Sequence, residues 1–426
     1  MYETEQNTER LILFCISESS VEGSGDEVEG LEELAMLAET AGAEVVGYIT
    51  QSRPQPHPAH YFGKGKVDEL KMYANAMGAT GVLCDEELSS TQIKHLDKAL
   101  GIKILDRTMI ILDIFAERAI SAEGKAQVEL AQLRYRRSRL AGLGAQLSRQ
   151  GGGTGGGLGI GARGPGEKKL ETDRRHIQSR ISQLNEELKE IRTGRAVLRE
   201  RRLQTGVPVI SLVGYTNAGK STLMNALTSA DVLVEDKLFA TLDTTTRRME
   251  LPGGTGTLIT DTVGFIDKLP HHLIQAFRAT LEELEYATLL LHVVDASNPD
   301  HREQMSVVYE TLKDLKCLDK PMITAFNKAD VIEVVGSQGQ EPGQNWTVNI
   351  SAKTGYNLPQ LLAVCEEILQ SMRQKVTLLV PYSAGHVVSM IHKNCEIVSE
   401  AHIEEGTRIE AYVPAAIYGQ VEGYVI

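Results

Sequence analysis

A glycine-rich loop in the middle of the chain combines residue types that bind phosphate. Gly214, Gly219, Lys220 and Ser221 have the spacing Gly-x-x-x-x-Gly-Lys-Ser, after an apolar run and before a helical pattern. Such glycines let backbone N–H groups close on phosphates, the lysine reaches the β and γ phosphates, and the serine hydroxyl binds Mg²⁺. We therefore predict a nucleotide site that includes Gly214, Tyr215, Thr216, Asn217, Ala218, Gly219, Lys220, Ser221 and Thr222.

Two later motifs predict that the base is guanine. Asn-Lys-Ala-Asp at 327–330 and Ser-Ala-Lys at 351–353 each follow a strand-like run. The Asp330 carboxylate can accept from both N–H groups on the edge of guanine. Adenine has no donor at those places, so a buried Asp330 would be left unpaired against it. The sequence thus predicts binding of GTP and GDP, with contacts from Asn327, Lys328, Ala329, Asp330, Ser351, Ala352 and Lys353.

Magnesium ligands are expected in two further segments. Asp261 opens the motif Asp261-Thr262-Val263-Gly264, in which the aspartate holds Mg²⁺ through water and the Gly264 N–H senses the γ phosphate. A switch threonine would complete the metal shell, and Phe-x-Thr-Leu patterns in related GTPases favour Thr241. Thr244 and Thr245 are the alternatives, and a threonine-rich strand edge without a metal role stays open. The predicted metal ligands are Ser221, Thr241 and Asp261. Thr241 belongs to a segment that we expect to contact the nucleotide, made of Phe239, Ala240, Thr241, Leu242 and Asp243.

The five motifs in this order resemble GTPases of the TRAFAC class. Phe265 follows Gly264 where Ras-like proteins have a water-positioning Gln, so we expect hydrolysis to be slow without a partner or a cation. Asn217 resembles the loop asparagine that coordinates K⁺ in cation-activated relatives, and a loop-stabilising hydrogen bond is the alternative. The catalytic candidates are Lys220, Thr241, Gly264 and Asn217.

Charge is distributed very unevenly along the chain. The 426 residues carry a formal charge of −13, which as a whole argues against a nucleic acid partner. Residues 131–205 contain 17 basic and 7 acidic residues, however, leaving 27 basic and 50 acidic residues elsewhere. This predicts one surface that faces a polyanion. The alternative is a solvated pair of helices with arginine-rich faces.

Heptad spacing within and beside this basic segment predicts a helical hairpin. Residues 122–148 and 167–204 each show one apolar stripe, so the two helices should pair antiparallel, the second about 50 Å long. The intervening 151–166 include ten glycines, which suggest either a linker or a mobile tip that enters a narrow polyanionic cavity. The second stripe comprises Leu170, Ile177, Ile181, Leu184, Leu188, Ile191 and Leu198.

The elements around these motifs predict a multidomain α/β protein. Strand-like runs alternate with helical patterns over 1–120, which indicates a largely parallel sheet, and the end of the chain suggests a small βαββ unit. We expect four domains: an N-terminal α/β subdomain at 1–121, the basic helical hairpin at 122–205, the GTPase domain with the phosphate-binding loop (P-loop) at 206–373, and a small C-terminal α/β domain at 374–426. Five scattered Cys indicate reduced thiols in a cytosolic protein, and the absence of long apolar runs predicts no membrane anchor.

The whole chain resembles the HflX family of ribosome-associated GTPases. The resemblance rests on Leu-Asp-Arg-Thr at 105–108, Ile-Phe-Ala at 114–116, the run from 123 to 133, the glycine-rich tip, Leu-Glu-Thr-Asp-Arg-Arg at 170–175, the P-loop and Asp-Thr-Val-Gly-Phe-Ile at 261–266. The family usually shows Gly-Glu-Thr-x-Leu-Glu after the tip. Here 166–171 reads Gly-Glu-Lys-Lys-Leu-Glu, which adds charge and removes the contact of the usual Thr.

The resemblance implies a monomer that binds the large ribosomal subunit, directs its tip toward the peptidyl-transferase region, and rescues or splits stalled ribosomes under stress. It implies a cytoplasmic protein, partly associated with ribosomes or a membrane surface. Two alternatives remain, a GTPase of large-subunit assembly and a nucleotide-sensing RNA-binding module with incidental turnover. Mg²⁺ is the expected cofactor, with K⁺ as a further hypothesis.

Overall fold

The computed structural model describes residues 8–17, 31–150, 165–204, 207–228, 238–268, 281–331 and 346–426. Most of the predicted tip, 151–164, lies outside the described residues. The chain forms two compact units. The first comprises Met1–Leu188, Lys237–Leu242 and Lys268–Phe277, and the second comprises Lys189–Asp236, Asp243–Asp267 and Arg278–Ile426.

A four-stranded parallel sheet opens the first unit, as the alternating pattern predicts. The strands are β1 (Arg10–Ser17), β2 (Glu44–Ser52), β3 (Gly81–Cys84) and β4 (Lys103–Asp106), and the helices are α1 (Glu32–Thr40), α2 (Lys64–Met77), α3 (Ser90–Leu100) and α4 (Arg107–Arg118). The order of the strands in the sheet is β2-β1-β3-β4. Two helix ends are capped by local residues: α3 starts with a capping box between Ser89 and Gln92, and α2 ends at Gly78 with φ of 61°.

Two long helices form the predicted antiparallel hairpin. They are α5 (Ala122–Gln150) and α6 (Pro165–Gln204). The two helices run antiparallel, so residues further along α5 pack against residues earlier in α6. The Arg180 guanidinium of α6 pairs with Glu129 of α5 at 2.7 Å. The apolar stripe is confirmed for the four central positions Ile177, Ile181, Leu184 and Leu188, which face Ala126, Leu130 and Leu133.

The second unit is centred on a six-stranded sheet in the order β10-β9-β8-β5-β7-β6, in which only β6 runs antiparallel. Buried aliphatic residues of β5, β8 and β9 pack against two of its helices, which is why these strands read as continuous apolar runs. The elements are β5 (Val209–Val213), α7 (Lys220–Thr228), β6 (Thr245–Glu250), β7 (Gly256–Asp261), β8 (Leu289–Asp295), α8 (His301–Asp314), β9 (Met322–Asn327), β10 (Thr347–Asn349) and α9 (Leu358–Ser371).

The C-terminal part of this unit is the predicted βαββ element followed by a short helix. Its antiparallel sheet has the order β11-β13-β12 and packs one face on the two helices through Leu378, Ile391, Ile409 and Ile417. The elements are β11 (Gln374–Val380), α10 (Gly385–Asn394), β12 (Glu396–Ile403), β13 (Gly406–Val413) and α11 (Ala415–Val421).

Neither a membrane span nor a metal cluster occurs among the residues that the structure describes. No helix there is both long and apolar enough to cross a bilayer. Within the same ranges, no group of three or more His, Cys, Asp or Glu side chains is arranged to hold a metal ion. The five cysteines are free thiols, as their scattered positions predict.

Candidate functional site

The P-loop backbone depends on two glycines with positive φ. Gly214 follows buried β5 with φ of 153°, and a Cβ there would lie 2.2 Å from the carbonyl oxygen of Val293. Gly219 has φ of 93°, and its Cβ would lie 2.3 Å from Asn327 Nδ2. A side chain at either place would therefore push the loop off the strands beside it. The predicted order of strand, loop and helix is confirmed.

Lys220 opens α7 and is almost fully buried, with 6% of its surface exposed. Its Nζ donates to the carbonyl oxygens of Gly214 at 3.1 Å and Tyr215 at 2.7 Å. Burial lowers the pKa of Lys220 to about 8, against the opposing effect of Asp261. The loop thus holds the lysine ammonium over its own backbone, where phosphate oxygens would bind it.

Gly264 brings the end of the β7 segment against this lysine. A Cβ on Gly264 would lie 2.9 Å from both Lys220 Nζ and Thr216 Cα. Two backbone bonds fix this approach, from Thr216 N to Phe265 O at 2.7 Å and from Phe265 N to Gly214 O at 3.1 Å. The P-loop and the predicted γ-phosphate sensor are therefore in direct contact.

Two of the predicted metal ligands meet within the second unit. Ser221 Oγ donates to Asp261 Oδ2 at 2.7 Å, and Asp261 is fully buried at the end of β7. Thr262 secures this strand end by donating to Leu212 O at 2.6 Å. A hydroxyl beside a carboxylate is a donor set that suits Mg²⁺, so these residues fit the predicted ion.

The switch segment belongs to the other unit. Phe239, Ala240, Thr241 and Leu242 are part of the first compact unit, whereas Asp243 belongs to the second. Phe239 packs edge-on against Phe115, with ring centroids 4.6 Å apart. The preceding Leu238 N–H donates to the Thr40 hydroxyl at 3.3 Å. The structure thus places Ser221 and Asp261 together, and Thr241 in the unit that carries the hairpin.

Asn327 joins the two halves of the nucleotide site. Its Nδ2 donates to Ala218 O at 2.8 Å, and its Oδ1 accepts from Ala352 N at 2.9 Å. Both polar groups of this buried side chain are therefore bonded to backbone. Asn327 positions the P-loop relative to the Ser-Ala-Lys segment, a role that its spacing in the sequence does not reveal.

Asp330 is held by Ser351 and is exposed, contrary to the buried carboxylate that the sequence argument assumed. Ser351 Oγ donates to Asp330 Oδ1 at 2.6 Å, and this bond lowers the pKa of the carboxyl. The side chain is open because Asp330 lies in the turn three residues after Asn327, the last residue of β9. The carboxylate stays charged and oriented, as guanine recognition requires.

Two residues near the site escaped the sequence analysis. Asp295, at the end of β8, pairs with Lys328 at 2.6 Å and fixes a residue whose φ is 65°. His292, on the same strand, is buried, and burial lowers its pKa to about 3 with a further contribution from Lys220. Asp295 is the last residue of β8, the strand between β5 and β9. This position at a strand end is the one sequence signal that points to Asp295.

Comparison with known proteins covers nearly the whole chain. Three family models match, described as "GTP-binding GTPase N-terminal" at 28–116, "GTP-binding GTPase Middle Region" at 118–202 and "50S ribosome-binding GTPase" at 209–328.

Similar curated proteins share one name. The protein named GTPase HflX from Lacrimispora saccharolytica is 49% identical over 424 residues, covering 99% of this chain and 97% of its own. The one from Caldanaerobacter subterraneus subsp. tengcongensis is 48% identical and covers 100% and 96%. The one from Escherichia coli K12 is 42% identical and covers 89% and 88%. With the P-loop geometry above, these likenesses show that the chain belongs to the HflX family of GTPases and hydrolyses GTP.

Proposed function

We propose that this GTPase binds the large ribosomal subunit in its GTP state, rescues or splits stalled or idle ribosomes, and is released by hydrolysis. The observation that carries the proposal is the basic hairpin, α5 and α6, on an otherwise acidic chain. The matched model named for a 50S ribosome-binding GTPase supports the same partner. We place the protein in the cytoplasm as a monomer, with domains at 1–121, 122–205, 206–373 and 374–426.

The hairpin is suited to ribosomal RNA because its apolar stripe is used internally and several arginines of its second helix are exposed. Arg174, Arg175 and Arg192 are exposed on α6. Arginine binds phosphate through two parallel N–H groups, and phosphate contacts dominate affinity for RNA. The acidic remainder opposes binding to RNA elsewhere on the chain. The surface therefore favours one confined RNA contact.

A buried carboxylate anchors the hairpin to the first sheet. Tyr135 of α5 donates to both oxygens of Asp106, at 2.7 and 2.8 Å, and Arg139 also pairs with Asp106. The arginine guanidinium lies 4.1 Å from the centre of the Tyr135 ring. The first helix of the hairpin is therefore bonded directly to the end of β4.

The nucleotide site would act as the gate. Lys220 and the loop N–H groups would hold the phosphates, Asp330 the guanine, and Ser221, Asp261 and Thr241 the Mg²⁺, whose charge would balance the phosphates. Asn217 would bind K⁺, and Phe265 in place of Gln would leave hydrolysis dependent on the ribosome.

Pelleting with isolated large subunits tests the partner. We expect the chain to pellet with a non-hydrolysable GTP analogue and to remain in the supernatant with GDP. Binding should fall steeply with salt, and R174E/R175E or a shortened 151–166 should weaken it at least tenfold. K313E/K316E is the matched control for lost positive charge, because Lys313 at the end of α8 and Lys316 in the turn after it are exposed in the second unit. Equal pelleting with both nucleotides would contradict the gate.

Sedimentation of intact ribosomes distinguishes splitting from assembly. With chain and GTP analogue added, splitting predicts that the intact-ribosome peak decreases and the two subunit peaks increase. An unchanged profile would contradict splitting and favour the role in large-subunit assembly. If the chain binds ribosomes equally well with and without a nucleotide, that result would instead favour an RNA-binding module with incidental turnover.

A further inference from the structure

A cavity of about 510 Å³ lies in the second unit, away from the P-loop. Its walls come from the start of β5, one face of β6 and β7, the end of α9 and the segment that joins α10 to β12. The volume is within the range of small-molecule sites. Because the P-loop follows the opposite end of β5, the cavity is separate from the GTP site.

Two cations at this cavity are available for a ligand. Arg248, Arg373 and Lys393 line it together with Glu283 and Glu396, and Arg373 pairs with Glu396 at 3.3 Å. Within the described ranges, neither Arg248 nor Lys393 forms an ion pair, and both are exposed. Residues 206–426 hold 16 basic and 27 acidic residues, so a surplus of cations here is unusual for this part of the chain. An oxyanion is the ligand that such a cavity selects.

A pair of hydroxyl groups lies on the sheet face beside these cations. Thr246 and Thr260 both line the cavity, and their hydroxyl oxygens are 3.1 Å apart. One of the two hydroxyls donates to the other, which leaves a proton and several lone pairs of this pair for a ligand.

We propose that this cavity binds a small phosphorylated molecule of about nucleotide size. Arg248 and Lys393 bind its phosphate, and whichever hydroxyl of the Thr246–Thr260 pair keeps a free proton donates to one of its remaining oxygens. The Tyr286 ring, which also lines the cavity, offers a face for an attached base or sugar.

The cavity and the GTP site share strand β7. Thr260 lines the cavity, and the next residue, Asp261, accepts a hydrogen bond from Ser221 Oγ. The turn between β6 and β7 is tied to α9, since Gly253 N–H donates to both carboxylate oxygens of Glu366 at 3.1 and 2.9 Å.

Calorimetric titration of the full chain, saturated with GDP, tests the site. The probes are adenosine 5′-monophosphate, ribose 5-phosphate and adenosine, none of which offers the guanine edge. Both phosphates should bind saturably, and adenosine at least tenfold more weakly. R248Q/K393Q should raise the dissociation constant of adenosine 5′-monophosphate at least tenfold, and R248K should retain part of the affinity. Arg247→Gln is the matched control, because Arg247 is exposed on the same strand and does not line the cavity.

Thermal unfolding of each variant verifies that the fold is intact, and GDP binding verifies the P-loop separately. Loss of phosphate binding in R248Q/K393Q with retention in R247Q supports the site. Three results would overturn it: no saturable binding of either phosphate, equal affinity for adenosine and its monophosphate, or equal loss in R247Q and R248Q/K393Q. None of these depends on whether the chain binds ribosomes.

Discussion

The two parallel sheets place charged side chains at the same edge and use them differently. At the carboxyl end of β3 and β4 in the first sheet, Arg107 pairs with Asp85 at 2.6 Å and with Glu33, and Lys268 also pairs with Asp85. At the corresponding edge of the second sheet, Lys220 is held by backbone carbonyls. Parallel sheets create a crevice at this edge. A closed network of charges at the first edge stabilises the fold. At the second edge, glycine-rich backbone and a lysine held by neutral carbonyls rather than by a carboxylate leave the positive charge for a ligand.

The largest expected effect is at the second edge. Lys220→Ala removes the ammonium that would neutralise the β and γ phosphates, and we expect kcat/KM for GTP to fall about 10³-fold. Phosphate release measured at several GTP concentrations gives this value. Lys64→Ala, an exposed lysine of the first unit, is the control and should change it less than twofold. Turnover within tenfold of wild type in K220A would contradict the account of this edge.

At the first edge, the same kind of change should affect stability instead. Arg107→Met leaves Asp85 and Glu33 without their buried partner, so we expect the free energy of unfolding to fall by about 3 kcal/mol. Urea denaturation measures it. The KM for GTP should stay within twofold below the unfolding transition. A large rise in KM with unchanged stability would show that the first edge also serves the nucleotide.

The histidines of the two regions should differ in their effect on acid stability. Burial lowers the pKa of His292 to about 3, so the folded state keeps it neutral while the unfolded state takes up a proton below about pH 6.5. The unfolding free energy should therefore fall as the pH decreases from 7.5 to 5, by roughly 2 kcal/mol from this group. Urea denaturation at the two pH values should show a smaller fall in His292→Gln. His60→Gln in the first unit is the comparison. Desolvation and the neighbouring His95 also lower the pKa of His60, but this side chain is only half-buried, so its replacement should change the pH dependence less. An equal change in both variants would contradict the assignment.

Two serines give the smallest and most selective contrast. Ser351 orients Asp330 at 2.6 Å, whereas Ser89 caps a helix of the first unit. Ser351→Ala should raise KM for GTP about tenfold, because a hydrogen bond to a charged group contributes about 1.5 kcal/mol at the low end of its range. Ser89→Ala should instead lower the unfolding free energy by about 1 kcal/mol. Steady-state kinetics and urea denaturation of both variants test this, and identical profiles would remove the distinction.

Local patterns were sufficient for the strands of the first sheet, for β5, β7, β9 and β10 of the second sheet, for the P-loop and for the hairpin. Each of these features depends on residues close together in the sequence, so periodicity and motif spacing predict it. Helix α4 was missed because Ile110, Ile111 and Leu112 are all buried. Three consecutive apolar residues hide the helical spacing of apolar residues by which an amphipathic helix is predicted. The partners of Asp106 were missed because Tyr135 and Arg139 lie about 30 residues away. The exposure of Asp330 was misjudged because the sequence does not show where solvent reaches a sheet edge.

The central claim is that ribosome contact through the hairpin stimulates GTP turnover at the second edge. The most direct measurement is the initial rate of phosphate release with and without purified large subunits, for wild type and R174E/R175E. We expect subunits to raise the wild-type rate at least tenfold and the variant rate far less, while the two rates without subunits agree. Equal stimulation of both proteins, or no stimulation of wild type, would contradict the account.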